Sequence, residues 1–242
     1  MQNHLVKTVL FGRGKWGIKL KSQLKKKTNL IKVFDSKSNM NEFNFSNIDW
    51  AIVATENKIH FKIVKFLLQK KINVFCEKPL TLNLNQSKKL IELSYKKKVQ
   101  LYIDHIYEFK NFRIRLKKQN YIYRSKSSIK NFRNILYDLA YHDFYLINSK
   151  LKIKKYKISY LSFMNNELNF KLNLNNMIFS FNYNLNSKKS HYINQTNFID
   201  RKNYINKMFS EVFNGKVDLK KNHSDALICN KLIDEIILFK KK

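Results

Sequence analysis

Two short segments of the sequence place reactive side chains where they could act on a small molecule. In Glu77-Lys78-Pro79 a lysine precedes the single proline of the chain, which biases its backbone towards an extended conformation and permits a cis peptide bond. Asp138 and His142 are four residues apart, so on a helix they would share a face, and the carboxylate could raise the basicity of the imidazole or fix its tautomer. Simpler interpretations are a surface lysine before a helix and a buried Asp–His pair that holds a helix in place.

Residues 7 to 35 predict the element that would hold a ligand for such chemistry: a strand, a glycine turn, a helix and a second strand. Three of the four glycines fall in Gly12-Arg13-Gly14-Lys15-Trp16-Gly17. In a dinucleotide-binding βαβ unit the first glycine permits the tight turn, the second lets the backbone approach a pyrophosphate, and the third lets helix and strand pack closely. Amides at the helix N-terminus would face the phosphates. The predicted cofactor-binding residues here are Gly12, Gly14, Lys15, Trp16 and Gly17.

Asp35 closes the second predicted strand. A carboxylate at this position can accept hydrogen bonds from the adenosine ribose hydroxyls and would repel a 2′-phosphate, so NAD is favoured over NADP. Lys32 and Lys37 weaken this preference. In the intervening helix we expect Ile18, Leu20 and Leu24 to share one apolar face.

The ends of later strands supply further candidate residues. The apolar run 49–55 predicts a parallel strand buried on both faces, and in a doubly wound sheet ligands bind at the carboxyl ends of the strands. A second short strand, 74–76, leads into the Glu77-Lys78-Pro79 segment. His60, near the start of a helix predicted over 58–70, fits a packed or supporting residue better than a catalyst. We predict that Thr55, Asn57, Glu77 and Lys78 contact the cofactor.

Five motifs together resemble the Gfo/Idh/MocA family of nicotinamide-dependent oxidoreductases, named for glucose-fructose oxidoreductase and inositol dehydrogenase. They follow the family's order at roughly its spacing, over the first 145 residues. The matching segments are the glycine turn, Ala54-Thr55 with His60, Glu77-Lys78-Pro79, the strand Leu101 to His105, and Tyr137-Asp138-Leu139-Ala140-Tyr141-His142-Asp143.

The resemblance implies an NAD-dependent dehydrogenase acting on a secondary hydroxyl of a sugar, a sugar nucleotide or a polyol. Lys78 would hydrogen-bond the reacting hydroxyl, and His142 would accept the proton with the help of Asp138. His105, at a strand end, would join them in binding substrate, whereas Asp143 better fits a cap or structural partner. The similarity is strongest to enzymes of nucleotide-linked amino sugars, which implies a role in surface polysaccharide biosynthesis. A non-catalytic protein of the same family that binds a dinucleotide or sugar nucleotide is the alternative.

The fold class expected from these motifs is α/β, with two domains. Residues 1–103 would form a Rossmann NAD-binding domain, and 104–242 a shortened α+β domain for substrate binding and oligomerisation. Partial alternation predicts about four antiparallel strands, over 156–163, 168–174, 177–184 and 191–198. The open face of this sheet could contact another subunit, giving a homo-oligomer. A C-terminal helix, 224–239, would pack back against the preceding part of the chain.

Composition limits the other classes of function. The formal net charge of +31 would suit a nucleic-acid partner, but the lysines are spread along the chain and no nucleic-acid motif is present. No apolar run is long enough to span a membrane, and the first strand begins without a preceding secretory segment, so we expect a cytoplasmic protein. Cys76 and Cys229 lack CxxC spacing, which argues against zinc and a disulfide framework.

Overall fold

The computed structural model describes residues 5–110, 113–129, 131–199 and 204–241. The chain forms two compact units. One consists of the described parts of Met1–Phe109 and Asn203–Leu227, and the other of those of Lys110–Lys202 and Ile228–Lys242. No helix within the described ranges is long and apolar enough to cross a membrane.

The regular elements are numbered in chain order. The strands are β1 (Lys7–Phe11), β2 (Asn29–Phe34), β3 (Trp50–Val53), β4 (Asn73–Cys76), β5 (Leu101–Ile103), β6 (Gln119–Ser125), β7 (Tyr156–Met164), β8 (Glu167–Leu174), β9 (Met177–Asn184), β10 (Ser190–Ile193) and β11 (Thr196–Asn197). The helices are α1 (Lys15–Lys27), α2 (His60–Gln69), α3 (Leu84–Lys97), α4 (Phe132–Ile135), α5 (Tyr141–Leu151), α6 (Ile205–Phe213) and α7 (Leu219–Phe239).

The first unit is built on a parallel sheet with the strand order β2-β1-β3-β4-β5. Every residue of β3 is buried, as expected for a parallel strand covered by helices on both faces. The order reverses between β1 and β3, and crevices at such a switch point are the ligand sites of doubly wound sheets. The Rossmann prediction is confirmed.

Helix α1 begins at Lys15 directly after the glycine turn and buries Gly17, Leu20 and Leu24. This spacing of three and four residues fits one helical face. The prediction that Ile18 belongs to this face is wrong, because its side chain is 61% exposed. One residue after Gly17 on a helix, Ile18 is rotated about 100° away from the buried face.

The second unit contains a mixed sheet with the order β11-β10-β6-β9-β8-β7. Neighbouring strands are antiparallel except for β6 and β9, which run parallel. The prediction of a mostly antiparallel sheet is confirmed, and β7, β8 and β9 lie where the alternation placed them. The run 191–198 divides into two short strands, β10 and β11. Strand β6 was not predicted.

A continuous helical segment in the second unit carries the Asp-x-x-x-His motif. It starts with α4, passes through a π-helical turn at Leu136–Ala140 and continues as α5. π-Helical turns are rare and frequently mark functional sites. Phe144 of α5 packs edge-on against Phe181 of β9, with ring centroids 5.5 Å apart, so the helix is anchored on the buried face of the sheet.

Candidate functional site

The backbone of the glycine turn between β1 and α1 packs so closely that two of its three glycines have no room for a side chain. Gly12 has a φ of +112°, and a Cβ atom there would collide with the carbonyl oxygen of Ala54. A Cβ atom on Gly17 would collide with the carbonyl oxygen of Gly12. A Cβ atom on Gly14, by contrast, would project into open space. Gly12 and Gly17 therefore allow close backbone packing, and Gly14 leaves room above the turn.

A cleft of about 540 Å³ lies over this turn and reaches the ends of β2 and β3. Its lining includes Gly12, Gly14, Lys15, Trp16, Gly17, Asp35 and Thr55, all predicted to bind cofactor. The other predicted cofactor residues, Asn57, Glu77 and Lys78, are not part of this lining among the described residues. The structure thus gathers the glycine-turn residues, Asp35 and Thr55 around one cleft.

The residues around the cleft fit a dinucleotide. The space above Gly14 would admit a pyrophosphate, and Gly14 is the N-cap of α1, whose first amides have no partner within the helix and can bind phosphate. The buried hydroxyl oxygen of Thr55 has no hydrogen-bond partner among the described residues. A ligand in the cleft could satisfy this hydroxyl.

The carboxylate of Asp35 is held by three groups around it. Its Oδ1 accepts hydrogen bonds from the Ser38 hydroxyl at 2.9 Å and the Lys37 amide at 3.1 Å, and its Oδ2 is 3.0 Å from Arg13 Nη1. The hydrogen bonds from Ser38, Arg13 and Lys37 lower the pKa of Asp35. Asp35 is therefore a fixed anion at the cleft. Arg13, which also lines the cleft, was not predicted as a site residue, although it lies inside the glycine motif.

The Glu77-Lys78-Pro79 segment follows β4 at the carboxyl edge of the same sheet. The Lys78–Pro79 peptide bond is cis, in line with the sequence. The amide of Glu77 donates to the carbonyl of Val53 at 2.9 Å, and Glu77 Oε1 accepts a hydrogen bond from Trp16 Nε1. Glu77 therefore connects this loop to the start of α1, although it does not line the cleft itself.

His60 packs against the same loop and contacts its backbone. Its ring is buried, with Nδ1 3.0 Å from the carbonyl oxygen of Pro79 and Nε2 3.2 Å from that of Thr55. Burial lowers the pKa of His60, while the bonds to Pro79 and Thr55 oppose this shift. The structure confirms His60 as a packed residue, which links the cis-proline loop to the end of β3.

His105, predicted to bind substrate, follows β5 and is only 1% exposed. Burial, followed by the charge of Lys221, lowers the pKa of His105 to about 3. The imidazole is therefore neutral at physiological pH. Its contact with substrate stays a prediction.

Asp138 and His142 lie in the second unit, in the π-helical turn and the first turn of α5. Both side chains are half-buried, whereas Leu139, Ala140 and Tyr141 between them are buried. Both residues are therefore partly accessible to solvent, and their sharing of one helical face stays a prediction. Their roles in chemistry stay predictions.

Asp143 is the centre of a buried polar cluster that the sequence did not predict. Its carboxylate lies 2.5 Å from His191 Nε2 and 3.5 Å from Arg124 Nη1, and it accepts a hydrogen bond from the Tyr183 hydroxyl at 2.8 Å. Burial opposes ionisation, but the charges of His191 and Arg124 and these hydrogen bonds lower the pKa of Asp143. Asp143 joins α5 to three strands, so it is a structural partner, as expected.

The first unit has a Rossmann-type fold, with the cleft at the switch point of its parallel sheet. Residues 18–105 match the model of the GFO_IDH_MocA oxidoreductase family, described as having an NAD-binding Rossmann fold. This match, over the part of the chain that carries the Glu77-Lys78-Pro79 segment, confirms the resemblance found in the motifs. None of the curated proteins compared with the chain matches it.

Solved structures share the fold over nearly the whole chain. UDP-N-acetylglucosamine 3-dehydrogenase GnnA from Acidithiobacillus ferrooxidans is similar over 95% of both chains, with a TM-score of 0.80 and 13% identity. The dehydrogenase MviM from Clostridium difficile matches 96% of this chain and 98% of its own, with a TM-score of 0.75 and 16% identity. GenD2 from gentamicin A biosynthesis, solved in complex with NAD, matches 97% and 93%, with a TM-score of 0.75 and 10% identity.

Proposed function

We propose that the protein is an NAD-dependent dehydrogenase that transfers a hydride between NAD and a secondary hydroxyl of a sugar. The observation that carries this proposal is the open glycine turn at the switch point of the parallel sheet, with Asp35 in the same cleft. The cis Lys78–Pro79 loop at the carboxyl edge of that sheet adds a lysine suited to hydroxyl chemistry.

The proposed substrate class is a nucleotide-linked amino sugar of surface polysaccharide biosynthesis. Support comes from the family match and from the fold shared with GnnA, which is named for its action on UDP-N-acetylglucosamine. The lysine-rich surface also favours an anionic substrate, because a strongly positive field attracts phosphates.

The residues have separate tasks in this proposal. The amides of the glycine turn bind the pyrophosphate, and Asp35 accepts hydrogen bonds from the adenosine ribose hydroxyls. When bound, the nicotinamide accepts or delivers the hydride. Lys78 hydrogen-bonds the reacting hydroxyl, His142 accepts its proton, and Asp138 holds the imidazole in the required tautomer.

The preference for NAD over NADP is part of the proposal. Asp35 is ionised and would repel a 2′-phosphate. Arg13 beside it reduces this repulsion, so the discrimination should be moderate rather than absolute.

We also propose a cytoplasmic homo-oligomer that associates through the open face of the C-terminal sheet. Cys76 and Cys229 are both buried thiols, and thiols are kept reduced in the cytosol. Tyr121 and Tyr160 are 61% and 48% exposed on the sheet, and exposed aromatic residues are enriched at protein interfaces.

Absorbance of reduced nicotinamide, followed with NAD and a panel of nucleotide sugars, tests the proposed reaction. Lys78→Ala should abolish turnover and leave the Kd for NAD unchanged, because Lys78 does not line the dinucleotide cleft. Lys89→Ala is the matched control, since it removes an exposed lysine of the helix that follows the loop. Equal turnover in Lys78→Ala and wild type would exclude the proposed role of Lys78.

The same assays separate the alternatives. Tight NAD binding without any absorbance change across the panel would indicate a binding protein. Nucleic-acid affinity that falls steeply with salt, together with no NAD binding, would indicate that the charge serves a nucleic-acid partner.

A further inference from the structure

The register of β4 and β5 brings two acidic side chains together beside the dinucleotide cleft. Cys76 pairs with Ile103 across these parallel strands, so Glu77 and Asp104 are the next residues on neighbouring strands. Their carboxyl groups are hydrogen bonded to each other. Because ionised carboxylates only accept hydrogen bonds, this contact requires one bound proton.

The pKa shifts of the two groups favour Glu77 as the site of this proton. Burial and the charge of Asp104 raise the pKa of Glu77 well above its usual value, and the hydrogen bond to Asp104 raises it further. Burial raises the pKa of Asp104 as well, while the hydrogen bond from Glu77 and the charge of Lys78 lower it. While this proton is bound, the pair carries one negative charge.

Three other groups face the pair. Trp16 donates its indole N–H to Glu77 Oε1, and Lys78 contributes a nearby positive charge. Burial raises the pKa of the Cys76 thiol well above its usual value, so this thiol stays neutral. Asp104 is only 3% exposed, and its Oδ1 has no hydrogen-bond partner within the described part of the chain.

Trp16 connects this pair to the ligand site, because its side chain also lines the dinucleotide cleft. We propose that Asp104 is a positioning residue that fixes the carboxyl group of Glu77, so that Glu77 holds the indole of Trp16 beside the glycine turn. The inference rests on the proposed function only in taking this cleft as the dinucleotide site.

The proposal predicts a pH dependence of dinucleotide binding. At alkaline pH the pair loses its shared proton, and two adjacent carboxylates repel each other. The Glu77–Asp104 contact then breaks, and Trp16 loses its fixed hydrogen-bond acceptor. NAD binding should weaken as this one proton is released.

The fluorescence of Trp16, titrated in the protein without cofactor, tests the pair directly. Wild type should show a one-proton step at a pH above the usual pKa of a glutamate, and Trp16→Phe should lack it. Glu77→Gln and Asp104→Asn keep the shape of each side chain and restore an N–H donor without a titrating proton, so both should remove the step. Glu108→Gln should retain it. Glu108 is the matched control because it is a half-buried acid of the same unit, also with a raised pKa, bonded to Tyr102.

Two further measurements complete the test. At neutral pH, wild type and Glu108→Gln should show the infrared C=O band of a protonated carboxylic acid, which Glu77→Gln and Asp104→Asn should lack. The Kd for NAD should rise by about tenfold per pH unit above the step in wild type and stay flat in both pair variants.

A fluorescence step or acid band that persists unchanged in both Glu77→Gln and Asp104→Asn would overturn the proposal. If wild type shows the band and the step but binds no NAD, the shared proton is supported and the proposed dehydrogenase function is overturned. The two proposals can therefore fail separately.

Discussion

Arg13 Nη1 lies 3.0 Å from Asp35 Oδ2 at the rim of the dinucleotide cleft. The Arg13 side chain is 63% exposed, and exposed ion pairs contribute at most about 1 kcal/mol. A bound cofactor could therefore separate the two residues at little cost. With NAD the carboxylate would bind the ribose, whereas with NADP the guanidinium would meet the 2′-phosphate.

Arg13 and Asp35 should control the cofactor preference in opposite directions. Asp35→Asn is expected to weaken NAD binding and strengthen NADP binding, by roughly tenfold each. Arg13→Ala should weaken NADP more than NAD, because it removes the cation that pairs with the additional phosphate. Calorimetric Kd values for both cofactors check this, with Lys27→Ala as a control for the loss of one positive charge at the far end of α1. An unchanged NAD to NADP ratio in both variants would contradict the assignment.

Gly12 and Gly14 should respond differently to the same substitution. Gly12→Ala is expected to destabilise the fold by about 1–3 kcal/mol, since it places a side chain at positive φ and against the carbonyl of Ala54. Gly14→Ala should leave the unfolding midpoint nearly unchanged, because its Cβ has free space. The same methyl group should weaken NAD binding, because it would occupy the space above the turn that the pyrophosphate needs. Urea unfolding and NAD titration of both variants distinguish these effects. Loss of stability in Gly14→Ala with intact NAD binding would be incompatible with the proposed site.

The cluster around Asp143 should make the second unit sensitive to acid. The pKa values of Asp143 and His191 are both lowered in the folded protein, Asp143 by the charges of His191 and Arg124 against the effect of burial, and His191 chiefly by burial. The unfolded chain therefore binds more protons as pH falls, and the free energy of unfolding decreases. This loss should begin near the usual His pKa of about 6.5 and continue through the lowered pKa of Asp143.

Asp143→Asn should remove the Asp143 part of this acid dependence and cost about 3 kcal/mol or more at neutral pH, because it leaves Arg124 buried without its anion. Urea unfolding measured across the pH range checks both effects. Glu235→Gln is the control, as a hydrogen-bonded acid of the same unit that contacts Tyr156 at 3.1 Å. A cost no larger than that of the control would show that the cluster is not important for stability.

The open face of the C-terminal sheet should determine the oligomeric state. Tyr121→Lys places a charge on the exposed aromatic face and is expected to shift the protein towards monomer, since charged residues are depleted in interface cores. Sedimentation measured over a range of protein concentrations checks this, and Lys126→Ala, near the end of the same strand, is the control. A wild-type protein that is monomeric at all concentrations would rule out this interface.

The sequence by itself determined most of the first unit. Glycine is tolerated better than other residues at the positive φ of Gly12 and where Gly17 packs on the turn, so the hexapeptide marks the cofactor turn by its residue types alone. Buried parallel strands are continuous apolar runs, and β3 and β4 were therefore visible without a structure. The proline at position 79 likewise marked the loop that carries the candidate catalytic lysine.

Strand β6 could not be predicted from the alternation of apolar and polar residues. Its buried residues are Asn120, Ile122, Arg124 and Ser125, so only one of four buried positions is apolar and the alternation that predicts a strand is missing. Asn120 is bonded to the nearby backbone of Lys117, but Arg124 is satisfied by distant groups, such as the carbonyl of Leu139, 3.0 Å from its Nη1. Such partners cannot be identified from local sequence.

Tertiary structure alone decided which charged groups meet. Asp104 was visible as the end of a strand, but its pairing with Glu77 depends on the register of β4 against β5. Asp143 contacts His191, which is 48 residues further along the chain. Arg13 contacts Asp35 only because the turn folds over the end of β2. Local backbone preferences and burial patterns depend on residues that are neighbours in the sequence. Ion pairs and pKa values depend on distances between side chains, which only the folded chain fixes.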